Sequence, residues 1–163
     1  MMTEPLVRKI LLVCMGNICR SPIAEGVVKE QLKKNGLSGV IKVDSAGTHG
    51  YHAGEPPDRR AVAVAARRGY DIADLRARKV RRDDFANFDF LLAMDRENLV
   101  NLLEICPPVY QVRVKLFLSY ARGIKIDEVP DPYYGGEAGF EAVVDMVENA
   151  AEGLVETLLR DRP

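Results

Sequence analysis

Short apolar runs recur along the chain and are separated by polar, turn-rich segments. The run KILLV at 9–13 has no polar residue after its first, which is typical of a strand buried on both faces of a sheet. The segment 40–47 alternates apolar and polar residues and ends in turn residues, which also indicates a strand. Two later apolar segments complete the set, and the far end of the last is also compatible with a helix. The predicted strands are 9–13, 40–47, 88–94 and 112–118.

Between these strands, apolar residues recur at the spacing of three and four residues that is typical of helices. Good N-cap residues precede three of these segments, and glycine or proline follows them. The first predicted helix has Ser21 as N-cap and Pro22 at its first position, and it stops at Gly36. The second runs from Asp58 as N-cap through Arg68, and the third runs from Asp95 as N-cap to Pro107 and Pro108, which stop it. The fourth covers 140–159.

The alternation of strands and helices predicts βαβ units and therefore a parallel sheet. We expect an α/β fold: a single domain over residues 1–163, built as a three-layer sandwich of a four-stranded parallel sheet with helices on both faces. Ligand sites in such folds form where loops leave the carboxyl ends of the strands. The irregular loops 14–21 and 128–139 are therefore expected to meet.

Composition excludes several classes of protein. A formal net charge of −1 over 163 residues gives no sign of nucleic-acid binding. No apolar span reaches the roughly 18 residues of a membrane helix. The three cysteines are an odd number, which does not suit a disulfide framework and favours a reducing compartment. We therefore expect a cytoplasmic protein that binds neither nucleic acid nor membrane.

The loop between the first predicted strand and helix carries the candidate chemistry. Backbone N–H groups between Cys14 and Arg20 can curl inward as an anion-binding nest, and the helix N-terminus adds partial positive charge. Gly16 and Asn17 tolerate the left-handed backbone that a tight loop needs. The guanidinium of Arg20 matches two phosphate oxygens. The same field favours the thiolate form of Cys14, to which Ser21 can donate a hydrogen bond.

The C-x5-R spacing alone is weak evidence, because three cysteines and many arginines produce it by chance. The alternative is a tight strand–helix turn with buried, inert cysteines. The context favours an anion site: a strand before, a helix after, Gly-Asn inside and Ser-Pro at the end. A nucleotide-binding loop is disfavoured because neither G-x-G-x-x-G nor GK[ST] is present.

At these residues the sequence resembles the low-molecular-weight protein tyrosine phosphatases. The likeness rests on CMGNICRSP at 14–22 and DPYYGG at 131–136. It continues through VDSAGT at 43–48, AMDRENL at 93–99 and GFEAVVDMVENAAEGL at 139–154. The resemblance implies hydrolysis of phosphotyrosine in proteins, and of small aryl phosphates, without cofactor or metal.

The resemblance also implies three catalytic roles. Cys14 would form a phosphocysteine intermediate, and Arg20 would hold the transferring phosphoryl group. Asp131 would protonate the leaving phenolate, whose conjugate acid has a pKa of about 10, and would then deprotonate the attacking water. Read without the resemblance, Asp131 is an ordinary Asp-Pro turn residue.

The resemblance implies that further residues bind the phosphate or line the entrance of the site, where aromatic side chains would select a flat phenyl ring. The tyrosines among them have an alternative reading as surface residues that pack loop tips. The expected phosphate- and substrate-binding residues are Met15, Gly16, Asn17, Ile18, Cys19, Ser21, Tyr51, Tyr133 and Tyr134.

The family pattern also concerns residues around the loop. Asn17, Ser45 and Asp95 are expected to brace it, whereas Leu75 stands where many relatives have a histidine, so that part of the support is expected to be missing or replaced. In the family, the cysteine at the position of Cys19 can form a reversible disulfide with the nucleophile. A small side chain that fills the loop is the alternative reading of this cysteine.

Two other functions remain open at this stage. One is an arsenate reductase on the same scaffold, which the absence of cysteines over 70–90 disfavours. The other is a non-catalytic phosphoprotein-binding module.

His49 and His52 lack nearby ligands at metal-binding spacing, so no metal site is expected. The expected partner is a tyrosine-phosphorylated protein, with tyrosine autokinases as one candidate class, and the chain is expected to be a monomer.

Overall fold

The computed structural model describes residues 7–161 and contains one four-stranded sheet. The strands are β1 (Arg8–Cys14), β2 (Ile41–Gly47), β3 (Phe90–Ala93) and β4 (Val114–Leu116). All three strand pairings are parallel, in the order β2-β1-β3-β4. This arrangement confirms the expected α/β class with a four-stranded parallel sheet.

Helices cover both faces of this sheet, as the three-layer prediction requires. The helices are α1 (Arg20–Lys34), α2 (Arg59–Arg67), α3 (Asp84–Asn87), α4 (Arg96–Ile105) and α5 (Glu137–Arg160). Ile10 and Leu12 of β1 belong to a cluster of apolar side chains with α1, α2 and α5, while Leu11 and Val13 belong to a second cluster with α3 and α4. All four of these side chains are fully buried, which explains the unbroken apolar run.

Two predicted N-caps are confirmed, and one is wrong. Asp58 accepts a hydrogen bond from the backbone N–H of Arg60 at 2.8 Å, and Asp95 accepts one from that of Asn98 at 2.8 Å. Ser21 does not cap α1, because that helix already begins at Arg20 with Cys19 in the cap position. The Ser21 hydroxyl lies inside the helix and has partners in the preceding loop instead.

The fourth strand is shorter than its apolar pattern suggested. Of the segment 112–118, only Val114–Leu116 pairs with β3, and 3-10 turns occupy Pro108–Arg113 and Phe117–Tyr120 on either side. Val112, at the start of this segment, is largely exposed, so the alternation of apolar and polar residues there does not correspond to alternating buried and exposed side chains. Helix α3 was not predicted, and α5 begins three residues before the expected 140.

The loops that follow the strands meet at the carboxyl edge of the sheet. The Cys14 loop (residues 14–21) leaves the end of β1. The Asp131 loop (residues 128–136) is attached to the end of β3, because the backbone N–H of Val129 donates to the carbonyl of Met94 at 2.8 Å. Across residues 7–161, none of the helices has the length and apolar character needed to cross a membrane.

Candidate active site

The Cys14 loop is wound around the sulfur of its first residue. Asn17 has a left-handed backbone with φ of 59°, which turns the chain tightly and points its N–H at the Sγ of Cys14, 3.3 Å away. Asparagine is among the few residues with a side chain that visit this region readily. Cys14 is 3% exposed, at the floor of the loop.

The Asn17 side chain ties this loop to two neighbouring segments. Its Nδ2 donates to the Oγ atoms of Ser21 at 2.8 Å and Ser45 at 2.9 Å, and its Oδ1 accepts from the backbone N–H of Arg78 at 3.0 Å. Both amide hydrogens and the carbonyl therefore have protein partners in a buried setting. A buried polar group that is fully bonded holds its surroundings in one geometry.

The hydrogen bond from Asn17 to Ser21 determines which way the Ser21 hydroxyl points. The Ser21 Oγ lies 3.0 Å from the Cys14 Sγ, and it already accepts a hydrogen from Asn17, so its own hydrogen is free to point at the sulfur. A hydroxyl and a backbone N–H therefore converge on the Cys14 sulfur as hydrogen-bond donors.

Glu25 is a member of this network that the sequence reading missed. Its side chain is buried on α1, accepts the hydroxyl hydrogen of Ser45 at 2.7 Å and pairs with Lys29. A charged residue in a helix normally indicates a solvent-facing position. The available signal was its place four residues after Ser21, which puts both on one helix face.

Leu75 is the position at which the family resemblance predicts that part of the loop's support is missing or replaced. Its partly buried side chain packs against the larger apolar cluster of the core. Asn17 is instead braced by the hydroxyl of Ser45 and the backbone of Arg78. The Arg78 guanidinium is anchored in turn by Asp44 and Asp84, at 3.0 Å each. Asn17 is therefore held by a hydroxyl and by a backbone donor on an ion-paired segment.

Arg20 connects the Cys14 loop with the Asp131 loop. Its Nη1 donates to the Oδ2 of Asp95 at 2.6 Å and to the carbonyl of Val129 at 2.9 Å, and its Nη2 lies 3.7 Å from the Oδ2 of Asp131. Burial of Arg20 opposes its charge, but the nearby sulfur of Cys14 and the carboxylates of Asp95 and Asp131 outweigh that effect and raise its pKa. The guanidinium therefore keeps its positive charge in the cavity that Cys14 also lines.

Asp131 lies at the opening of the site. Its side chain is 38% exposed, and its Oδ1 accepts a hydrogen bond from the backbone N–H of Tyr133 at 3.1 Å. This local turn holds the carboxyl group at the mouth of the cavity, where it can exchange protons with water or with a bound ligand.

A cavity of about 320 Å³ brings the candidate residues together. The side chains of Asn17 and Ser21 are buried, bond to each other within the Cys14 loop and do not line the cavity. His52, which was considered only as a weak metal ligand, lies on the wall, with its Nδ1 2.6 Å from a carboxylate oxygen of Glu55. The lining residues are Cys14, Met15, Gly16, Ile18, Cys19, Arg20, Tyr51, His52, Asp131, Tyr133 and Tyr134.

Tyrosine rings form much of the rim. Tyr133 meets Tyr134 edge-on at 4.9 Å between ring centroids, and Tyr51 stacks on His49 at 5.4 Å. Tyr51 is 79% exposed and Tyr134 is 95% exposed, so each presents a free apolar face to a ligand. Such walls suit a flat aromatic group that enters with its anionic end first.

Cys19 differs from Cys14 in its surroundings. Burial, and then the negative charges of Asp58, Cys14 and Asp131, raise the pKa of its thiol, which is therefore neutral. Cys14, Cys19 and Cys106 are all free thiols. Exchange of Cys14 and Cys19 between thiol and disulfide forms is one of two readings of Cys19 from the sequence, beside that of a small side chain that fills the loop.

Chemically, the site offers a sulfur nucleophile at the floor, a fixed guanidinium beside it and a carboxyl group at the mouth. Backbone N–H groups and Arg20 can bind the oxygens of a tetrahedral oxyanion, while the rim binds an aromatic group. This arrangement is suited to the transfer of a phosphoryl group to sulfur.

Comparison with known proteins points to the same chemistry. Residues 9–163 match the family model described as low molecular weight phosphotyrosine protein phosphatase. The chain is 37% identical to the human protein of that name, over 95% of this chain and 98% of the human one. It is also 37% identical to the low molecular weight protein-tyrosine-phosphatase YfkJ of Bacillus subtilis, over 94% and 97% of the two chains.

A solved structure agrees with these sequence matches. The crystal structure of a protein tyrosine phosphatase from Entamoeba histolytica superposes on this chain with a TM-score of 0.91 and 44% sequence identity. The superposition covers 94% of this chain and 97% of the other. Fold and sequence therefore agree across nearly the whole length.

Proposed function

The chain belongs to the low molecular weight phosphotyrosine protein phosphatases, and from that premise we propose that it hydrolyses phosphotyrosine in proteins through a phosphocysteine at Cys14. The observation that carries the proposal is the convergence of Cys14, Arg20 and Asp131 on one cavity with aromatic walls. The same mechanism extends to small aryl phosphates.

In the first step, the sulfur of Cys14 attacks phosphorus, an S–P bond forms and the bond to the phenolic oxygen breaks. Arg20 and the backbone N–H groups of the Cys14 loop bind the equatorial oxygens, where charge is spread in the transition state. The carboxyl proton of Asp131 passes to the departing oxygen. Protonation matters because the conjugate acid of tyrosine's phenolate has a pKa of about 10.

In the second step, water replaces the sulfur. The Asp131 carboxylate takes a proton from the attacking water, the S–P bond breaks and inorganic phosphate leaves with its charge held by Arg20. Cys14 returns as a thiolate, to which Ser21 and the N–H of Asn17 donate hydrogen bonds. No group beyond these side chains, the loop backbone and water is needed to balance the reaction.

Specificity for tyrosine follows from the depth of the cavity. The Cys14 sulfur lies at the floor, and the rings of Tyr51, Tyr133 and Tyr134 stand at the rim. A phosphorylated phenol spans that depth with its ring between the tyrosines, whereas phosphoserine is shorter and offers no ring to stack.

We further propose that the protein is a single phosphatase domain over residues 1–163 that acts as a cytoplasmic monomer. The support for a single domain is the family match over residues 9–163, and the support for a reducing compartment is the odd number of cysteines. Tyrosine autokinases are the proposed class of substrate. A Cys14→Ser variant used to capture phosphoproteins would test this, since an unrelated phosphotyrosine protein captured equally well would contradict a preference for autokinases.

The activity is tested with p-nitrophenyl phosphate in the presence of a metal chelator. The expected result is turnover by the unaltered protein and none by Cys14→Ser, which still binds inorganic phosphate through Arg20 and the loop N–H groups. Cys106→Ser is the matched control, because Cys106 is a buried free thiol at the end of α4, remote from the cavity. Full turnover by Cys14→Ser would overturn the covalent mechanism, and arsenate-dependent oxidation of thioredoxin would favour a reductase.

A further inference from the structure

The Asp131 loop depends on few attachments for its position. The chain has no regular helix or strand between Tyr120 and Glu137, so the usual ladder of backbone hydrogen bonds does not fix Asp131. On the N-terminal side of Asp131, Val129 is held twice: its N–H donates to Met94, and its carbonyl accepts from Arg20. The C-terminal side needs an anchor of its own.

Arg60, in the first turn of α2, supplies that anchor. Its Nη2 donates to the carbonyl of Tyr133 at 2.8 Å and its Nη1 to the carbonyl of Gly135 at 3.2 Å. The same guanidinium lies 5.6 Å from the ring centroid of Tyr133 and 4.7 Å from that of Phe140, which begins the buried face of α5. One side chain thus contacts both the backbone and the aromatic ring that follow Asp131.

Arg60 is itself held by Asp58. The Nε of Arg60 donates to the Oδ1 of Asp58 at 3.1 Å, and its Nη2 lies 3.0 Å from the Oδ2. These hydrogen bonds to Arg60 lower the pKa of the Asp58 carboxyl despite its partial burial. The backbone N–H of Asp58 donates to the carbonyl of Ile18 at 2.8 Å. A second connection between the Cys14 loop and the Asp131 loop, besides Arg20, therefore runs through Ile18, Asp58 and Arg60.

The last link reaches the carboxyl group itself. Asp131 accepts the N–H of Tyr133, and the carbonyl of that same residue accepts from Arg60. Fixing the Tyr133 peptide units therefore fixes the donor that orients the Asp131 side chain. Lysine would keep the charge of Arg60, but a single ammonium lacks the planar fork that serves Asp58 and two carbonyls together.

We propose that Arg60 is a positioning residue that holds the Asp131 loop at a fixed distance from the Cys14 loop, so that the Asp131 carboxyl reaches the leaving group. This inference rests on the role of Asp131 in the proposed function. It assigns Arg60 no contact with the substrate. Asp58 is the fixed point to which the guanidinium is attached.

Leaving-group dependence distinguishes a misplaced acid from general damage. Phenyl phosphate needs the proton, because its leaving group has a conjugate acid of pKa about 10, whereas p-nitrophenolate departs readily without it. For Arg60→Ala, we expect kcat/KM to fall about tenfold or more with phenyl phosphate. A general acid contributes roughly 10²–10⁴-fold to the rate, and a misplaced one loses part of that contribution. With p-nitrophenyl phosphate, we expect a loss of less than about threefold.

Arg59 provides the matched control. It precedes Arg60 in the same helical turn and is exposed, and it has no hydrogen bond or ion pair with any part of the chain that the structure describes. Arg59→Ala removes the same charge, and we expect it to leave both substrates unaffected. Arg60→Lys retains the charge and serves as the second variant if the alanine variant does not fold; it should show the same selective loss in kcat/KM with phenyl phosphate.

Asp131→Ala separates failure of this inference from failure of the proposed function. If kcat/KM of Asp131→Ala falls selectively with phenyl phosphate but that of neither Arg60 variant does, the positioning role is wrong and the proposed function stands. If Asp131→Ala itself shows no leaving-group selectivity, the assigned acid is wrong. Equal losses on both substrates in the Arg60 variants, with a lowered Tm, would mean that Arg60 is only structural and would overturn the inference.

Discussion

At the scale of single residues, Asn17 has the most partners in the site. Its backbone donates to the Cys14 sulfur, and its side chain makes three further hydrogen bonds, to Ser21, Ser45 and Arg78. The left-handed backbone of Asn17 turns the loop, whereas its side-chain amide ties the loop to neighbouring segments. Two substitutions can therefore distinguish them.

Asn17→Gly keeps the backbone conformation without strain and removes the side-chain bonds, whereas Asn17→Ala removes the bonds and adds strain at φ 59°. We expect both variants to lose about 10²-fold in kcat/KM for p-nitrophenyl phosphate, because a displaced loop no longer matches the oxyanion. The free energy of unfolding in urea should be about 1 kcal/mol lower for the alanine variant than for the glycine variant. Full activity of Asn17→Gly would show that the backbone conformation alone is sufficient.

Residue-level prediction from the sequence succeeded where local pattern determined the geometry. Gly-Asn between a strand and a helix indicated a tight left-handed loop, and Asn17 adopts it. Glu25 and Arg60 could not be recognised in this way, because a charged residue on a helix looks the same whether it is buried against a partner or solvated. Their partners, Ser45 and the Tyr133 carbonyl, are distant in sequence.

At the scale of elements, α5 is the helix that completes the larger core cluster and begins directly after the Asp131 loop. Its register is set by close contact at Gly153, where an added Cβ would lie 1.8 Å from the carbonyl oxygen of Tyr120. Tyr120 ends the 3-10 turn that follows β4. Helix and turn therefore approach each other so closely that only glycine fits.

Gly153→Ala should lower the free energy of unfolding by about 1–3 kcal/mol or more, because the methyl group forces α5 away from the turn. Gly139→Ala is the control in the same helix, since its added Cβ meets Pro132 at an ordinary 3.6 Å. We expect that variant to be unchanged or slightly stabilised by the better helix propensity of alanine. Urea denaturation measures both, and equal stability of the two variants would contradict the close packing at Gly153.

Element boundaries show where the apolar pattern misled. The segment 112–118 alternates as a strand does, yet its first residues form a 3-10 turn with Val112 exposed. Alternating apolar residues indicate the buried side of a strand only if tertiary packing covers that side. The N-caps at Asp58 and Asp95 were predictable because capping is a local hydrogen bond between residues two or three positions apart.

At the scale of the whole molecule, the order β2-β1-β3-β4 places the ends of β1 and β3 side by side. The Cys14 loop grows from one of these strands, and the Asp131 loop returns to the other. The sequence predicted this meeting from the general position of sites in parallel sheets. The role of Asp131, however, came from resemblance alone, because no local pattern specifies the path of an irregular segment.

The central claim is that Cys14 carries the phosphoryl group between the two steps. The most direct measurement is mass spectrometry of Asp131→Ala stopped during turnover of p-nitrophenyl phosphate, since this variant loses the base for the second step but needs no acid for the first. We predict about one phosphoryl group per chain, on the peptide that contains Cys14, and none on Cys14→Ser. A phosphoryl group on another residue, or continued turnover with no phosphorylated chain, would contradict the account.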